Sequence, residues 1–147
     1  MKRVFGFLAL VLALGFAAPA AFAQTFEVGQ VWSLNAPMSP EARIRVGRVE
    51  DGGQTVHISL WAQPIEEASA LGSPLVAGHL PISSDALARS VNTLTDATPP
   101  ADLQFDEGYA EWSRAQGGVF TITVPEIVNV ILQSAAQLPP PPKQHKL

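Results

Sequence analysis

A histidine and a pair of glutamates are the side chains of this sequence best suited to acid–base chemistry. His79 comes just before a predicted helix start at Ser83, and Gly78 beside it lets other backbone approach closely. Glu107 and Glu111 are four residues apart, so they share one face of a helix. Paired carboxylates perform general acid–base catalysis when burial raises the pKa of one of them. The alternative is a solvated acidic helix beside a histidine that bonds nearby backbone.

Two aromatic side chains of the same segment are suited to lining a binding groove. Tyr109 and Trp112 combine a ring with a polar group, and such residues favour half-buried positions. They also form one helical stripe with Phe105, which is equally typical of a helix packed on a core. We expect any polar functional site to lie between residues 78–83 and this helix. The predicted binding residues are His79, Ser83, Glu107, Tyr109, Glu111 and Trp112.

Signals for other kinds of site are missing from the sequence. His57 and His145 belong to no spaced metal motif, and the chain has no cysteine, so we expect neither a metal nor a cofactor. No serine lies in a Gly-x-Ser-x-Gly elbow, and Gly117-Gly118 lacks the spacing and the lysine of a phosphate loop. His57 is expected to face solvent or a covering helix. An enzyme is an alternative that the sequence leaves open, although no catalytic motif supports it.

The first 23 residues are typical of an export signal and not of a folded domain. Lys2 and Arg3 give a positive start, residues 4–16 carry no polar side chain, and small residues precede a cleavage site between Ala23 and Gln24. The apolar stretch is shorter than the roughly 20 residues that a membrane-spanning helix needs. The sequence therefore predicts a bacterial protein that is periplasmic or secreted.

Cleavage would leave an acidic domain of ordinary size. Losing Lys2 and Arg3 from the nine Lys and Arg leaves seven against thirteen Asp and Glu, a formal charge of −6. Such a surface repels phosphate backbones, so we do not expect nucleic acid as a partner. No second long apolar run follows, which predicts a soluble chain without membrane insertion after cleavage. The expected partner is an unknown protein or a component of the bacterial envelope.

The domain that must position these residues, 24–138, is predicted to begin with strands. They cover residues 26–34, 42–50, 54–62 and 75–81. Asp51-Gly52-Gly53 supplies the residues of a tight turn, so the second and third strands form a β-hairpin. A one-residue slip in the apolar pattern predicts a bulge at Gly47. Pro81 places its strand at a sheet edge or a strand end, and residues 64–74 are a loop or a short helix.

Helices are predicted mostly in the second half of the chain. They cover residues 85–94, 105–116 and 125–137, with a further strand at 119–124 and an extended Pro-rich tail at 139–147. Ser83 or Ser84 caps the first helix, and Gly117 lies just past the end of the second. This order favours an α+β domain with an antiparallel sheet, the hairpin at its centre, and two to three helices packed on one face. The alternative is a small β-barrel with appended helices.

Three segments of the chain resemble those of small bacterial domains that have no assigned activity. The segments are HLPIS at 79–83, EGYAEW at 107–112 and GGVFTI at 117–122. The resemblance implies a self-contained bacterial module and implies no mechanism. We therefore expect a small exported binding or interaction module of unknown ligand. The alternative is a small hydrolase-like enzyme with a histidine–carboxylate site at His79, Glu107 and Glu111.

Overall fold

The computed structural model describes residues 24–61, 76–101 and 103–137. The predicted export signal, the connection at 64–74 and the Pro-rich tail lie outside the described residues, and they stay predictions.

The described chain forms one open sheet of five strands with three helices. The strands are β1 (Val31–Leu34), β2 (Arg43–Glu50), β3 (Thr55–Trp61), β4 (Val76–Ser83) and β5 (Val91–Thr95). The helices are α1 (Ser84–Ala88), α2 (Phe105–Arg114) and α3 (Val124–Ala136). The sheet order is β4-β3-β2-β1-β5, and all neighbouring strands are antiparallel. This confirms the α+β class, and because the sheet does not close, the barrel alternative is wrong.

The predicted hairpin joins β2 and β3, and its bulge sorts the side chains onto two faces. A single 3-10 turn at Asp51–Gly53 links the strands, with Gly52 and Gly53 at φ 65° and 98°. The strand register shifts between Val46 and Arg48, which confirms the bulge at Gly47. Since side chains alternate along a strand, this extra residue moves Arg48 off the face that Val46 occupies and pairs it with His57.

The two faces of the sheet are covered by different helices. One face carries the main apolar core, which α1 and α3 complete with Leu87 and Ile127. The opposite face carries His57 and takes α2, whose Trp112 ring lies 4.7 Å from the His57 ring. The fully buried large apolar residues of the core are Ile44, Ile58, Leu60, Ile82, Leu87 and Ile127. The helix pair on one face confirms the predicted packing, and α2 covers the other face.

The helix predicted at 85–94 is too long. Ser83 caps α1 as expected, its Oγ accepting a hydrogen bond from the backbone N–H of Ala86 at 3.3 Å. The helix ends at Ala88, and the chain then forms β5, where Leu94 pairs with Trp32 of β1. The helical spacing of the apolar residues misled the prediction, because pairing with β1 supplies these backbone groups with hydrogen bonds that the isolated pattern does not reveal.

One predicted strand is shorter than expected, and another does not form. The first covers only Val31–Leu34, since a turn that includes the Gln30 N–H to Glu27 C=O hydrogen bond occupies the start of the predicted range. At 119–124 there is a single parallel bridge between Ile82 and Phe120. The helix start then ends any extended structure, because Glu126 accepts hydrogen bonds from the N–H and the hydroxyl of Thr123. None of the helices in the described ranges is long and apolar enough to cross a bilayer.

Candidate functional site

Three of the predicted binding residues meet beneath α2. The ring of His79, on β4, lies 5.8 Å from the Tyr109 ring and 5.9 Å from the Trp112 ring, between centroids. A second histidine, His57 of β3, lies beside His79 in nearly the same plane, with 5.1 Å between centroids and 15° between the ring planes. The antiparallel ladder brings the histidines together, because Pro81 pairs with His57 and His79, two residues before Pro81, lies on the same face of the sheet.

A hydrogen-bonded chain runs from His79 through His57 to Glu50. Nε2 of His79 and Nδ1 of His57 are 2.9 Å apart, and Nε2 of His57 lies 3.2 Å from Oε2 of Glu50. An ionised carboxylate only accepts hydrogen bonds, so Nε2 of His57 carries the proton that it donates to Glu50. The other nitrogen of His57 then accepts from the Nε2–H of His79. The geometry therefore fixes the tautomers of both rings.

Tyr109 and Arg48 complete the surroundings of Glu50. The Tyr109 hydroxyl donates to Oε1 of Glu50 at 2.6 Å, and Arg48 donates to the same oxygen at 3.3 Å. The Arg48 guanidinium also lies 4.3 Å from the centre of the Tyr109 ring. We name Arg48, Glu50, His57, His79 and Tyr109 the histidine cluster. It connects β2, β3, β4 and α2, so it holds four elements together.

Glycines let α2 approach the sheet closely enough to cover this cluster. A Cβ at Gly108 of α2 would lie 2.6 Å from Cβ of His79. A Cβ at Gly78 would collide with the backbone carbonyl oxygen of Leu103, which confirms the close approach predicted at this glycine. Phe105 likewise occupies the space that a side chain at residue 47 would need. Small residues on both sides of the interface thus permit the contact.

Burial and hydrogen bonding keep the two histidines neutral and Glu50 ionised at neutral pH. The pKa of His79 is lowered to about 4, mainly by burial. The neighbouring His57 contributes to this lowering, and Glu50 opposes it less strongly. Burial also lowers the pKa of His57, although the hydrogen bond to Glu50 opposes this. The hydrogen bond from Tyr109 is the main cause of the lowered pKa of Glu50, and the same bond raises the pKa of Tyr109.

The other three predicted binding residues lie apart from this cluster. Ser83 accepts the capping hydrogen bond of α1. Glu107 and Glu111 are exposed on α2, and within the described ranges their carboxylates make no hydrogen bond and no ion pair. The carboxylate that bonds the histidines is that of Glu50. It accepts a hydrogen bond from His57, which in turn bonds His79. The structure thus assembles His79, Tyr109 and Trp112 but not Ser83, Glu107 and Glu111.

Sequence reasoning missed Glu50, Arg48 and the role of His57. The alternation of β3 placed His57 off the core face, and a covering helix was one of the two expected neighbours. The bulge at Gly47 carried the remaining signal, because it reverses the alternation and puts Arg48 and Glu50 on the face of His57. The pairing of β3 with β4, on the side away from β2, could not be predicted from a local pattern.

The histidine cluster is arranged for hydrogen bonding and not for nucleophilic attack. His57 is fully buried, with none of its surface exposed. Two hydroxyls lie two residues from His57 along its strand, and both are engaged. That of Ser59 donates to the carbonyl oxygen of Gly78 at 2.8 Å, and that of Thr55 donates to Oδ2 of Asp51 at 2.7 Å. In the described part of the chain, no group of three or more His, Cys, Asp or Glu side chains is placed to hold a metal ion.

A cavity of about 710 Å³ lies away from this cluster. Its walls are residues 35–38 of the β1–β2 loop, Arg89 after α1, and one side of the α3 segment. The residues of that side are Thr123, Pro125, Glu126, Val128, Asn129 and Leu132. We name it the α3 cavity. Arg89, Glu126, Asn35 and Asn129 supply its polar groups, and its apolar lining is formed by Pro37, Met38, Pro125, Val128 and Leu132.

No pattern in the sequence predicted the α3 cavity. Its walls come from three segments that are far apart in the chain, and no motif links them. Met38 and Val128 are almost completely buried, at 8% and 3% exposure, whereas Arg89 and Glu126 are exposed. The cavity thus joins an apolar interior to a charged rim.

Comparisons with known proteins give no family for this chain. No family model matches the sequence, and no curated protein or solved structure matches it.

Proposed function

We propose that this chain is an exported bacterial binding module whose ligand occupies the α3 cavity. The observation that carries the proposal is the cavity of about 710 Å³ with an apolar interior and a polar rim. Small-molecule sites have volumes of roughly 300–1,000 Å³ and combine apolar walls with a few polar groups that orient the ligand. The α3 cavity matches both properties.

The histidine cluster supports this proposal because its side chains already bond one another and are not available to a ligand. Its charged and polar groups bond one another, and its rings are enclosed by Phe105 and Trp112. A ligand would have to displace α2 to reach His57. We therefore assign the histidine cluster the role of holding α2 on the sheet. The ligand is assigned to the α3 cavity.

Export is the second part of the proposal, and it rests on residues 1–23. The partner is then a protein or a component of the envelope, and the acidic mature chain does not favour nucleic acid. N-terminal sequencing of protein recovered from the periplasm should begin at Gln24. Intact Met1 in a cytoplasmic pool would overturn this part.

The binding proposal is tested with a cavity-filling variant and a matched control. Asn129 lines the cavity, while its neighbour Val130 is exposed and does not. We expect a fragment library, screened by NMR on labelled residues 24–147, to shift the amide signals of Asn35 and Arg89. Asn129→Trp should abolish these shifts and Val130→Trp should retain them. Fragments that bind the two variants equally, or a library without hits at the cavity, would contradict the proposal.

A hydrolase-like enzyme is the second candidate, and one observation favours it. The Glu50–His57–His79 chain aligns a carboxylate with two imidazoles, an arrangement that orients a general base. In such an enzyme Glu50 would take the role that the sequence assigned to Glu107 and Glu111. Hydrolysis of nitrophenyl esters that is lost in His79→Gln, while the fold is retained, would favour this candidate. Equal residual rates for both proteins would remove it.

A further inference from the structure

We infer that the ligand of the α3 cavity is a zwitterion with apolar side chains, either a free amino acid or a short peptide with free ends. The inference rests on the proposed function and adds the chemical class of the ligand. It derives from two opposite charges that line one cavity without pairing with each other.

Arg89 and Glu126 face the same cavity from different elements. Arg89 follows α1 and Glu126 lies in the first turn of α3. They form no ion pair, so their charged atoms are more than 4.0 Å apart. They are still close enough to interact, because Arg89 adds to the hydrogen bonds from Thr123 that lower the pKa of Glu126. The two opposite charges therefore line one cavity without bonding each other.

Both charged groups are held in place and keep hydrogen-bonding capacity. Arg89 donates to the carbonyl oxygens of Asp85 at 3.2 Å and Thr121 at 3.3 Å. A guanidinium has five N–H groups, so others are left for a carboxylate. Glu126 uses Oε2 for both of its bonds to Thr123, and within the described ranges Oε1 has no partner. An ammonium group can therefore bond Oε1 without disturbing the helix start.

The amides and the apolar lining fit the rest of such a ligand. The side-chain N–H groups of Asn35 donate to the carbonyl oxygens of Arg89 and Val91, which fixes the amide and leaves Oδ1 for a ligand N–H. Met38, Val128 and Leu132 provide apolar contact for aliphatic side chains. A ligand with a single charge pairs with only one of the two protein charges, whereas a zwitterion pairs with both.

Calorimetric titration at pH 7 with four leucine ligands tests the inference. The ligands are leucine, Leu-Leu, N-acetyl-Leu-Leu and Leu-Leu amide. We expect leucine or Leu-Leu to bind, and the tighter of the two shows whether the ligand is a free amino acid or a short peptide. Blocking either end of the dipeptide should lower its affinity about tenfold or more. Glu126→Gln keeps the acceptor for Thr123 but removes the charge, so acetylation should then cost less than about twofold. Asp106→Asn, at an exposed position of α2, should behave as the wild type.

Two results would overturn the inference alone, and a third would overturn the proposed function as well. Equal affinities for the free and blocked dipeptides would show that the charges do not select the ligand. No binding of any leucine ligand, with fragment binding that Asn129→Trp abolishes, would leave a binding module with another ligand class. If Asn129→Trp affects no ligand at all, both the ligand class and the proposed function are wrong.

Discussion

The histidine cluster and the α3 cavity contain the same kinds of side chain in opposite states. In the cluster a carboxylate, an arginine and polar rings bond one another, and His57 is fully buried. In the cavity Arg89 and Glu126 are exposed and do not pair with each other. Polar groups that satisfy one another stabilise a fold, whereas those kept apart by the backbone remain available to a ligand. The residue types alone did not distinguish these two regions.

The largest effect should come from a charge placed on the apolar face of the hairpin. Ile58 is fully buried in the main core, whereas its neighbour His57 lies on the opposite face of the sheet. Ile58→Asp should unfold the domain, because the new carboxylate would be buried without a partner. Ile58→Val, which removes one methylene, should cost only about 0.5–1.5 kcal/mol. A cooperative thermal transition of normal midpoint for Ile58→Asp would show that the two faces are assigned wrongly.

Acid should loosen the cluster before it affects the cavity. The folded pKa of His79 is about 4 against 6.5 when unfolded, so between these values the unfolded chain binds more protons and stability falls as pH falls. His57 and Glu50 also have lowered pKa values and act in the same direction. One pKa unit corresponds to about 1.4 kcal/mol. Allowing for the partial exposure of His79, we expect it to remove about 2 kcal/mol between pH 7 and pH 4.

Chemical denaturation from pH 7 to pH 4 measures this loss, with His79→Gln as the comparison. Glutamine still donates an N–H but does not titrate in this range, so its unfolding free energy should depend less on pH. Hydrogen exchange should then locate the loosening in α2 and not in α3. Parallel pH profiles for the two proteins would contradict the assignment.

Removing the Tyr109 hydroxyl should have a smaller effect on the same cluster. Tyr109→Phe keeps the ring beside His57 and His79 but loses the hydrogen bond to Glu50. We expect the melting temperature to fall by about 3–6 °C, and the pKa of Glu50, followed by NMR, to rise. Ser113→Ala, at an exposed position of the same helix, is the control. An unchanged Glu50 pKa would mean that the hydroxyl does not hold the carboxylate in solution.

The smallest effect should come from neutralising the cavity carboxylate. Glu126→Gln keeps the acceptor for Thr123, and the charge it removes is exposed and unpaired with Arg89. The melting temperature should stay within about 2 °C of the wild type. Glu126→Ala, which also removes the acceptor, should melt at a lower temperature than Glu126→Gln. A large loss in Glu126→Gln would mean that the cavity charges support the fold, as those of the cluster do.

Features that depend on neighbouring residues were predictable. The turn at Asp51–Gly53, the bulge at Gly47 and the cap at Ser83 each follow from a few adjacent side chains, and the structure has all three. The helix predicted at 85–94 shows the limit of such reasoning. Its apolar spacing suited a helix, but β1 was available as a partner, and the hydrogen bonds of a sheet decided between the two.

The sequence by itself determined the alternation of β3 and the aromatic stripe of α2, because both arise from the repeat of a single element. Only the tertiary structure decided what these features contact. The bond between His57 and His79 spans 22 residues, and the one between Tyr109 and Glu50 spans 59. The α3 cavity likewise needs three separated segments to meet. Such contacts depend on which strands pair and which helix covers them. Both are determined by how apolar area is buried across the whole chain, and no local pattern reports that.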